Sequence, residues 1–118
     1  MKNIKIGVIE EKFAHIIWEN EPLTSKRLVE LCQEELKWKS TTTYTVLKKL
    51  CDKGIFVNEN SMVTSLIKED EYYSLQSKQF VSETFNGSLP AFIAAFTKKQ
   101  NLSAQEIEEI KKIIDSIQ

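Results

Sequence analysis

Histidine is almost missing from this chain, and cysteine, proline and glycine are scarce: 1 His, 2 Cys, 2 Pro and 3 Gly stand among 118 residues. Each shortage excludes something. So few Gly and Pro cannot supply the tight turns of an all-β sandwich or barrel, which leaves a mainly α chain. Cys32 and Cys51, with His15 as the lone imidazole, make no zinc or copper spacing and no disulfide framework. Two buried thiols in a reducing compartment are expected instead, with no metal and no cofactor. No apolar run approaches the roughly 20 residues that cross a bilayer. The N-terminal "MKNIKIGVIEEKF" also lacks the continuous apolar core of a signal peptide. No membrane insertion and a cytoplasmic location are expected. There is no glycine-rich phosphate loop and no grouping of nucleophile, base and oxyanion donors, so no enzyme is expected.

An excess of charge of one sign is lacking too, since 16 Lys and Arg against 17 Asp and Glu leave a net of −1. The distribution says more than the sum. Lys37, Lys39, Lys48, Lys49 and Lys53 lie in a stretch whose one acid is Asp52, whereas Glu106, Glu108, Glu109 and Asp115 outweigh Lys111 and Lys112 near the C-terminus. A locally basic segment thus sits in a mildly acidic chain. By itself such a run is as readily a solvated face as a binding surface.

Hydrophobic residues make up 42% of the chain, enough for a globular core, and their spacing sets out the elements. Val8, Ile9, Phe13, Ile16 and Ile17 form the stripe of a first helix over about 8–18, closed by a turn at "ENEPL", where Pro22 disfavours helix at Glu21. Thr24 is a plausible cap for a second helix over about 25–36 with Leu28, Leu31 and Cys32 inward. After a short link through Lys37, a third helix begins near Thr41, with Ser40 as candidate cap, and ends at Lys53. Gly54 then stands where a left-handed residue is wanted. "IFVNE" and "SMVTSLI", with Asn60 in a polar "NEN" turn between them, read as a small hairpin. Three helices and a hairpin in this order make a winged helix-turn-helix.

Beyond Ile67 the character changes. A long helical pattern runs to Asn86-Gly87. A second helix, "SLPAFIAAFTKK", has Ser88 as cap and Pro90 in its first turn. "SAQE" (103–106) is a capping box that opens a third, on which Ile107, Ile110, Ile113, Ile114 and Ile117 share a face. The expected division is therefore 1–67 for the winged helix-turn-helix and 68–118 for a C-terminal helical domain. Some 50 residues rarely bury their own core, and "AFIAAF" is apolar all round. A partner copy is expected to cover Tyr73, Phe80, Phe85, Leu89, Phe92, Ile93, Phe96, Ile107, Ile110 and Ile114, making a homodimer.

The third helix, "STTTYTVLKKLCDK", carries an unusual number of short hydroxyls. At about 100° per residue, Thr43, Val46, Leu47 and Leu50 point one way. Thr41, Thr45 and Lys48 point the other, flanked by Thr42, Tyr44 and Lys49. Packing does not account for this second face. The N-terminal part of the second helix in a helix-turn-helix reaches base edges in the major groove. Thr and Ser exchange hydrogen bonds with bases and phosphates, a Thr methyl meets a thymine methyl, and lysines replace condensed counterions. The candidate DNA-binding residues are Lys39, Ser40, Thr41, Thr42, Tyr44, Thr45, Lys48 and Lys49.

"WENEPLTSKRLVE", "WKSTTTYTVLKKLCDKG" and "FNGSLPAFIAAFTKKQNLSAQEIEEIKKII" together resemble the penicillinase and methicillin-resistance repressor family (BlaI/MecI-type), which also includes copper-responsive CopY-type repressors. The resemblance covers nearly the whole chain. It implies a homodimeric repressor whose third helices read an inverted-repeat (palindromic) double-stranded DNA operator while the C-terminal helices interlock. The family's DNA-reading element matches the run Ser-x-x-Thr-Tyr-Thr-x-Leu here, Ser40, Thr43, Tyr44, Thr45 and Leu47, followed by Lys48 and Lys49. In β-lactam-responsive members a membrane sensor-linked protease cuts before a phenylalanine preceded by asparagine. The matching place here is Ala95-Phe96, without the asparagine. The cysteine cluster of the copper-responsive members is absent, and the wing "NENSMV" is short, with Glu59 as its one charge. A second reading therefore stays open: a dimeric winged-helix interaction module, an adaptor or anti-repressor without its own operator.

Overall fold

The computed structural model describes residues 4–117; the outermost ends of the two expected segments, residues 1–3 and 118, lie outside the described residues. Six helices and one small sheet follow in order: α1 (Val8–Asn20), β1 (Leu23–Thr24), α2 (Ser25–Leu36), α3 (Ser40–Asp52), β2 (Phe56–Glu59), β3 (Met62–Ser65), α4 (Glu69–Phe85), α5 (Leu89–Thr97) and α6 (Ala104–Ile117). The molecule is mainly helical, with a winged helix-turn-helix followed by C-terminal helices. It divides into two compact units, 1–77 and 78–118.

The core of the first unit forms where the inward stripes of α1, α2 and α3 meet. Phe13, Ile17, Leu28, Leu50, Ile55, Phe56 and Val63 are all fully buried. The expected stripe of α1 is shorter than its spacing indicated, since Val8 is 75% exposed and Ile9 51%. Ala14 takes part in the core in their stead, and the buried residues of α1 lie between Phe13 and Ile17.

Between α2 and α3 the turn is three residues, Lys37 to Lys39. Lys37 ends α2 in the left-handed region (φ 59°), and the Trp38 N–H donates back to the Cys32 carbonyl at 3.3 Å. The Trp38 ring stacks on Phe13 of α1, with centroids 5.5 Å apart and planes at 23°. The entry of α3 is thereby held against the core. Ser40, expected as its cap, is instead the first helical residue, with Lys39 in the cap position and no side-chain hydrogen bond there. At the other end Gly54 adopts the left-handed conformation expected of it (φ 83°).

The hairpin pairs Phe56 with Ser65 and Glu59 with Met62, which places its two-residue turn at Asn60-Ser61. Both turn residues have positive φ, 53° and 63°, as a type I′ connection requires. Glu59, the last residue of "IFVNE", is the last residue of β2. A third strand was not anticipated: Leu23 and Thr24 pair with Val63 and Met62, giving the sheet order β1-β3-β2. Thr24 also caps α2, its hydroxyl accepting from the Arg27 N–H at 3.0 Å. A two-residue strand has no period for a pattern to reveal.

Helix α4 begins within the first unit. Tyr72 is fully buried. The Tyr73 hydroxyl lies 2.7 Å from His15 Nε2 and donates to Glu11 at 3.3 Å, while His15 Nδ1–H donates to Glu69 at 2.7 Å. The Trp18 indole N–H donates to the Ile67 carbonyl at 3.0 Å just ahead of it. The change of sequence character at 67/68 thus lies ten residues before the change of compact unit at 77/78.

In the second unit Phe80, Phe85 and Phe92 form a triangle of edge-on contacts with centroids 5.6–6.0 Å apart, and Phe96 adds a tilted ring at 6.2 Å from Phe92. Asn86 and Gly87 both turn left-handed to break α4, and the Ser88 hydroxyl caps α5 by accepting from the Ala91 N–H at 3.1 Å. The capping box of α6 forms in both directions, Glu106 N–H to Ser103 Oγ and Ser103 N–H to Glu106 Oε1, each at 3.0 Å.

Candidate nucleic-acid interface

Helix α3 splits by exposure along the line its periodicity draws. Thr43, Leu47 and Leu50 are buried and Val46 is half-buried. Lys39, Ser40, Thr41, Thr42, Tyr44, Thr45, Lys48 and Lys49 are all exposed. All eight candidate positions are therefore solvent-accessible, seven of them on α3 and Lys39 at its cap. Tyr44 is a large aromatic side chain left 45% exposed beside these hydroxyls.

Local bonds set what each group has free. The Thr45 hydroxyl donates to the Thr41 carbonyl one turn back at 2.9 Å, the local back-bond common for threonine in a helix. Thr43 turns inward, its hydroxyl donating to the Lys39 carbonyl at 3.4 Å. Lys48 spans one turn to Asp52 at 3.5 Å. Lys49 leaves the helix altogether and pairs with Glu10 of α1 at 2.6 Å. The Lys53 ammonium donates to the Lys5 carbonyl at 3.0 Å. The basic segment is thus divided between residues facing solvent and residues seated on the N-terminal part of the chain.

Between α3 and the hairpin runs an open groove of about 520 Å³, lined by Tyr44, Leu47, Lys48, Cys51, Phe56, Val57, Asn58 and Leu66. Cys51 is half-buried there rather than buried as expected, while Cys32 is fully buried. Neither forms a disulfide. Burial pushes the Cys32 thiol up to about 11, against the neighbouring Thr43 hydroxyl, which lowers it. Burial and the Asp52 charge raise Cys51 likewise. Neither thiol has the depressed pKa of a reactive cysteine.

The hairpin tip adds no cation. Asn58, Glu59, Asn60, Ser61 and Met62 are exposed, and Glu59 is their one charged side chain. Lys68 beyond it is engaged with Glu21 at 3.2 Å. Among the described residues no group of His, Cys, Asp and Glu is arranged to hold a metal ion. No described helix is long and apolar enough to cross a membrane.

Of the residues expected at a partner interface, Phe80, Leu89, Ile93, Phe96, Ile107 and Ile114 are exposed, and Phe85, Phe92 and Ile110 are half-buried. Tyr73 belongs to the first unit and is bonded to α1. No residue of α5 or α6 is buried among the described residues. Ala95-Phe96, the place matching the family's cleavage position, lies inside α5. The residues that sequence reasoning missed are Glu10 and Glu21. Their signal is weak, because each is an ordinary helix-end glutamate whose partner lies more than thirty residues away.

The methicillin resistance regulatory protein MecI of Staphylococcus aureus strain Mu50 is 27% identical over 118 residues, covering 97% of this chain and 96% of the relative. The penicillinase repressor of Staphylococcus aureus is 27% identical over 120 residues, covering 98% and 95%. That of Bacillus licheniformis is 25% identical over 120 residues, covering 98% and 94%. With the penicillinase repressor profile matching residues 6–116 from the first helix to the last, the chain belongs to the penicillinase repressor family.

Proposed function

We propose that the chain is a homodimeric transcriptional repressor that binds an inverted-repeat operator, with α3 lying in the major groove. The observation that carries this reading is the outward face of α3, where Ser40, Thr41, Thr42, Tyr44, Thr45 and Lys48 are exposed together on a helix whose other face is buried. Short hydroxyls and a tyrosine contact base edges and phosphate oxygens, and Lys39 and Lys48 supply positive charge. The names of the relatives, a methicillin resistance regulatory protein and a penicillinase repressor, support the same reading. The C-terminal helices, with their exposed apolar residues, are the proposed dimer interface, which sets the two recognition helices at a spacing of about one helical turn of DNA.

One observation favours a second reading. The hairpin tip has no cation and exposes Met62, which suits a protein partner as well as a minor groove. On that reading the molecule is a dimeric interaction module without its own operator.

Fluorescence anisotropy with DNA from upstream of the protein's own coding region, beside a scrambled duplex at two salt concentrations, separates the two. A repressor prefers the upstream DNA by about a thousandfold or more. Tyr44→Ala is then expected to lose about tenfold to a hundredfold in operator affinity with an unchanged thermal melt. Equal binding to both duplexes, erased by salt, sinks the repressor reading and directs the search to a protein partner.

A further inference from the structure

Two adjacent lysines of α3 are held in different ways. Lys48 reaches Asp52 on its own helix at 3.5 Å, with side chains 79% and 70% exposed. Such a pair is weak and readily exchanged for another anion. Lys49 meets Glu10 of α1 at 2.6 Å, and the Glu10 side chain is only 19% exposed. The other Glu10 oxygen accepts the Gly7 N–H at 2.9 Å. Glu10 also lies in the first turn of α1, where the helix dipole favours a negative charge. The hydrogen bond from Lys49, and after it that from Gly7, hold the Glu10 carboxyl below the ordinary glutamate range. Drawing Lys49 away to a phosphate would leave a half-buried carboxylate with the Gly7 amide and the charge of Lys53 but without its hydrogen-bonded ammonium, so the DNA backbone competes for Lys49 at a disadvantage.

Lys49 sits one turn beyond Thr45, at the edge of the exposed face of α3. A free ammonium there would add one more sequence-independent attraction to any duplex. We propose that Glu10 holds Lys49 off the DNA backbone and seats α3 on α1, so that the pair is a positioning clamp that restrains non-specific DNA affinity. The clamp rests on the proposed DNA reading and sharpens it: Lys48 is the phosphate contact and Lys49 is not. Specificity is the ratio of operator to non-specific affinity, and a cation withheld from every phosphate lowers the denominator.

The test is the salt dependence of binding to a scrambled duplex, followed by anisotropy with the full chain. Each phosphate contact contributes about −0.9 to the slope of log K against log salt concentration, and because a dimer carries each substitution twice, the slope changes are counted per protomer. Glu10→Gln is expected to steepen the slope by about 0.9, with several-fold tighter binding to the scrambled duplex, as Lys49 is released. Lys49→Gln is expected to leave the slope unchanged, and Lys48→Gln to make it shallower by about 0.9. A parental slope in Glu10→Gln, or a slope about 0.9 shallower in Lys49→Gln, overturns the clamp. Circular dichroism checks the fold of each variant, and if Glu10→Gln does not fold, Lys49→Gln decides on the same criterion. Operator preference is measured separately. A chain without operator preference whose Glu10→Gln slope steepens removes the proposed function and keeps the clamp. Retained preference with an unaltered Glu10→Gln slope does the reverse.

Discussion

At the scale of single residues, the polar side chains that fold inward explain more than the apolar ones do. Glu21 closes the first unit from the C-terminal end of α1. Its carboxylate accepts the Ser65 N–H at 2.9 Å, the Ser65 hydroxyl at 2.7–2.8 Å and the Lys68 ammonium at 3.2 Å, fastening the end of the hairpin. Tyr72 is the opposite case: it is fully buried, and its hydroxyl has no hydrogen-bond partner among the described residues. Burial pushes that hydroxyl up to about 12, with the charge of Glu11 adding to it. A buried, unsatisfied hydroxyl costs about 1–3 kcal/mol, so Tyr72→Phe, which keeps the ring and its packing on Trp18 at 5.3 Å, is expected to stabilise the protein by about 1 kcal/mol. Urea denaturation measures this. A loss of stability in Tyr72→Phe would show that the hydroxyl is bonded after all.

Among the elements, α6 poses the plainest physical problem. Its capping box makes it a helix on local grounds, yet Ile113, Ile114 and Ile117 are 52–77% exposed on one side of it. Apolar stripes of this breadth are covered in stable proteins, and a contiguous exposed patch marks an interaction site. The choice of substitution matters for the test. Phe92 lies at the centre of the phenylalanine cluster, so an aspartate there would damage the protomer itself. Ile114 touches solvent in the single chain, and Ile114→Asp is expected to abolish the proposed dimer while leaving the thermal unfolding of the first unit in place, because burying an unpaired carboxylate at an interface costs several kcal/mol. Sedimentation equilibrium of Ile114→Asp that still returns a dimer would place the interface elsewhere. The element least legible beforehand was β1. Leu23 and Thr24 look like the tail of a turn and a helix cap, and their pairing with β3 depends on a hairpin that begins more than thirty residues later.

For the whole molecule, the acid limb of stability follows from two glutamates. Lys49 and Gly7 lower the Glu10 carboxyl. At Glu21 burial raises it, but the hydrogen bonds from Ser65 and the Lys68 ammonium outweigh burial and leave it depressed. A carboxyl depressed in the folded state stabilises fully above its unfolded pKa, about 4.3, and that contribution is lost as the pH falls through the folded value. Stability is therefore expected to be level from about pH 6 to pH 7 and to decline below about pH 4.5 on this account. Glu21→Gln is expected to cost on the order of 1 kcal/mol at pH 7 and to flatten the decline in acid. Denaturant midpoints of parent and variant at pH 7 and pH 4 check this. An equal difference between the two proteins at both pH values would show that Glu21 has no part in the acid response.

The sequence by itself determined what local chemistry decides. The 3.6-residue period named the outward face of α3 residue by residue, Gly54 and Asn86-Gly87 marked the helix ends, and Ser88 and Ser103 marked the starts. All of these are interactions within a turn or two of the chain. Only the tertiary structure decided what spans distance: that Leu23 and Thr24 join the sheet, that Tyr72 and Tyr73 belong to the first unit, and that Lys49, one of five lysines with the same local look, is bound to Glu10. The physical reason is the same in each case. A hydrogen bond or ion pair across thirty or more residues leaves no period and no spacing in the sequence, because its geometry exists only after the helices have packed.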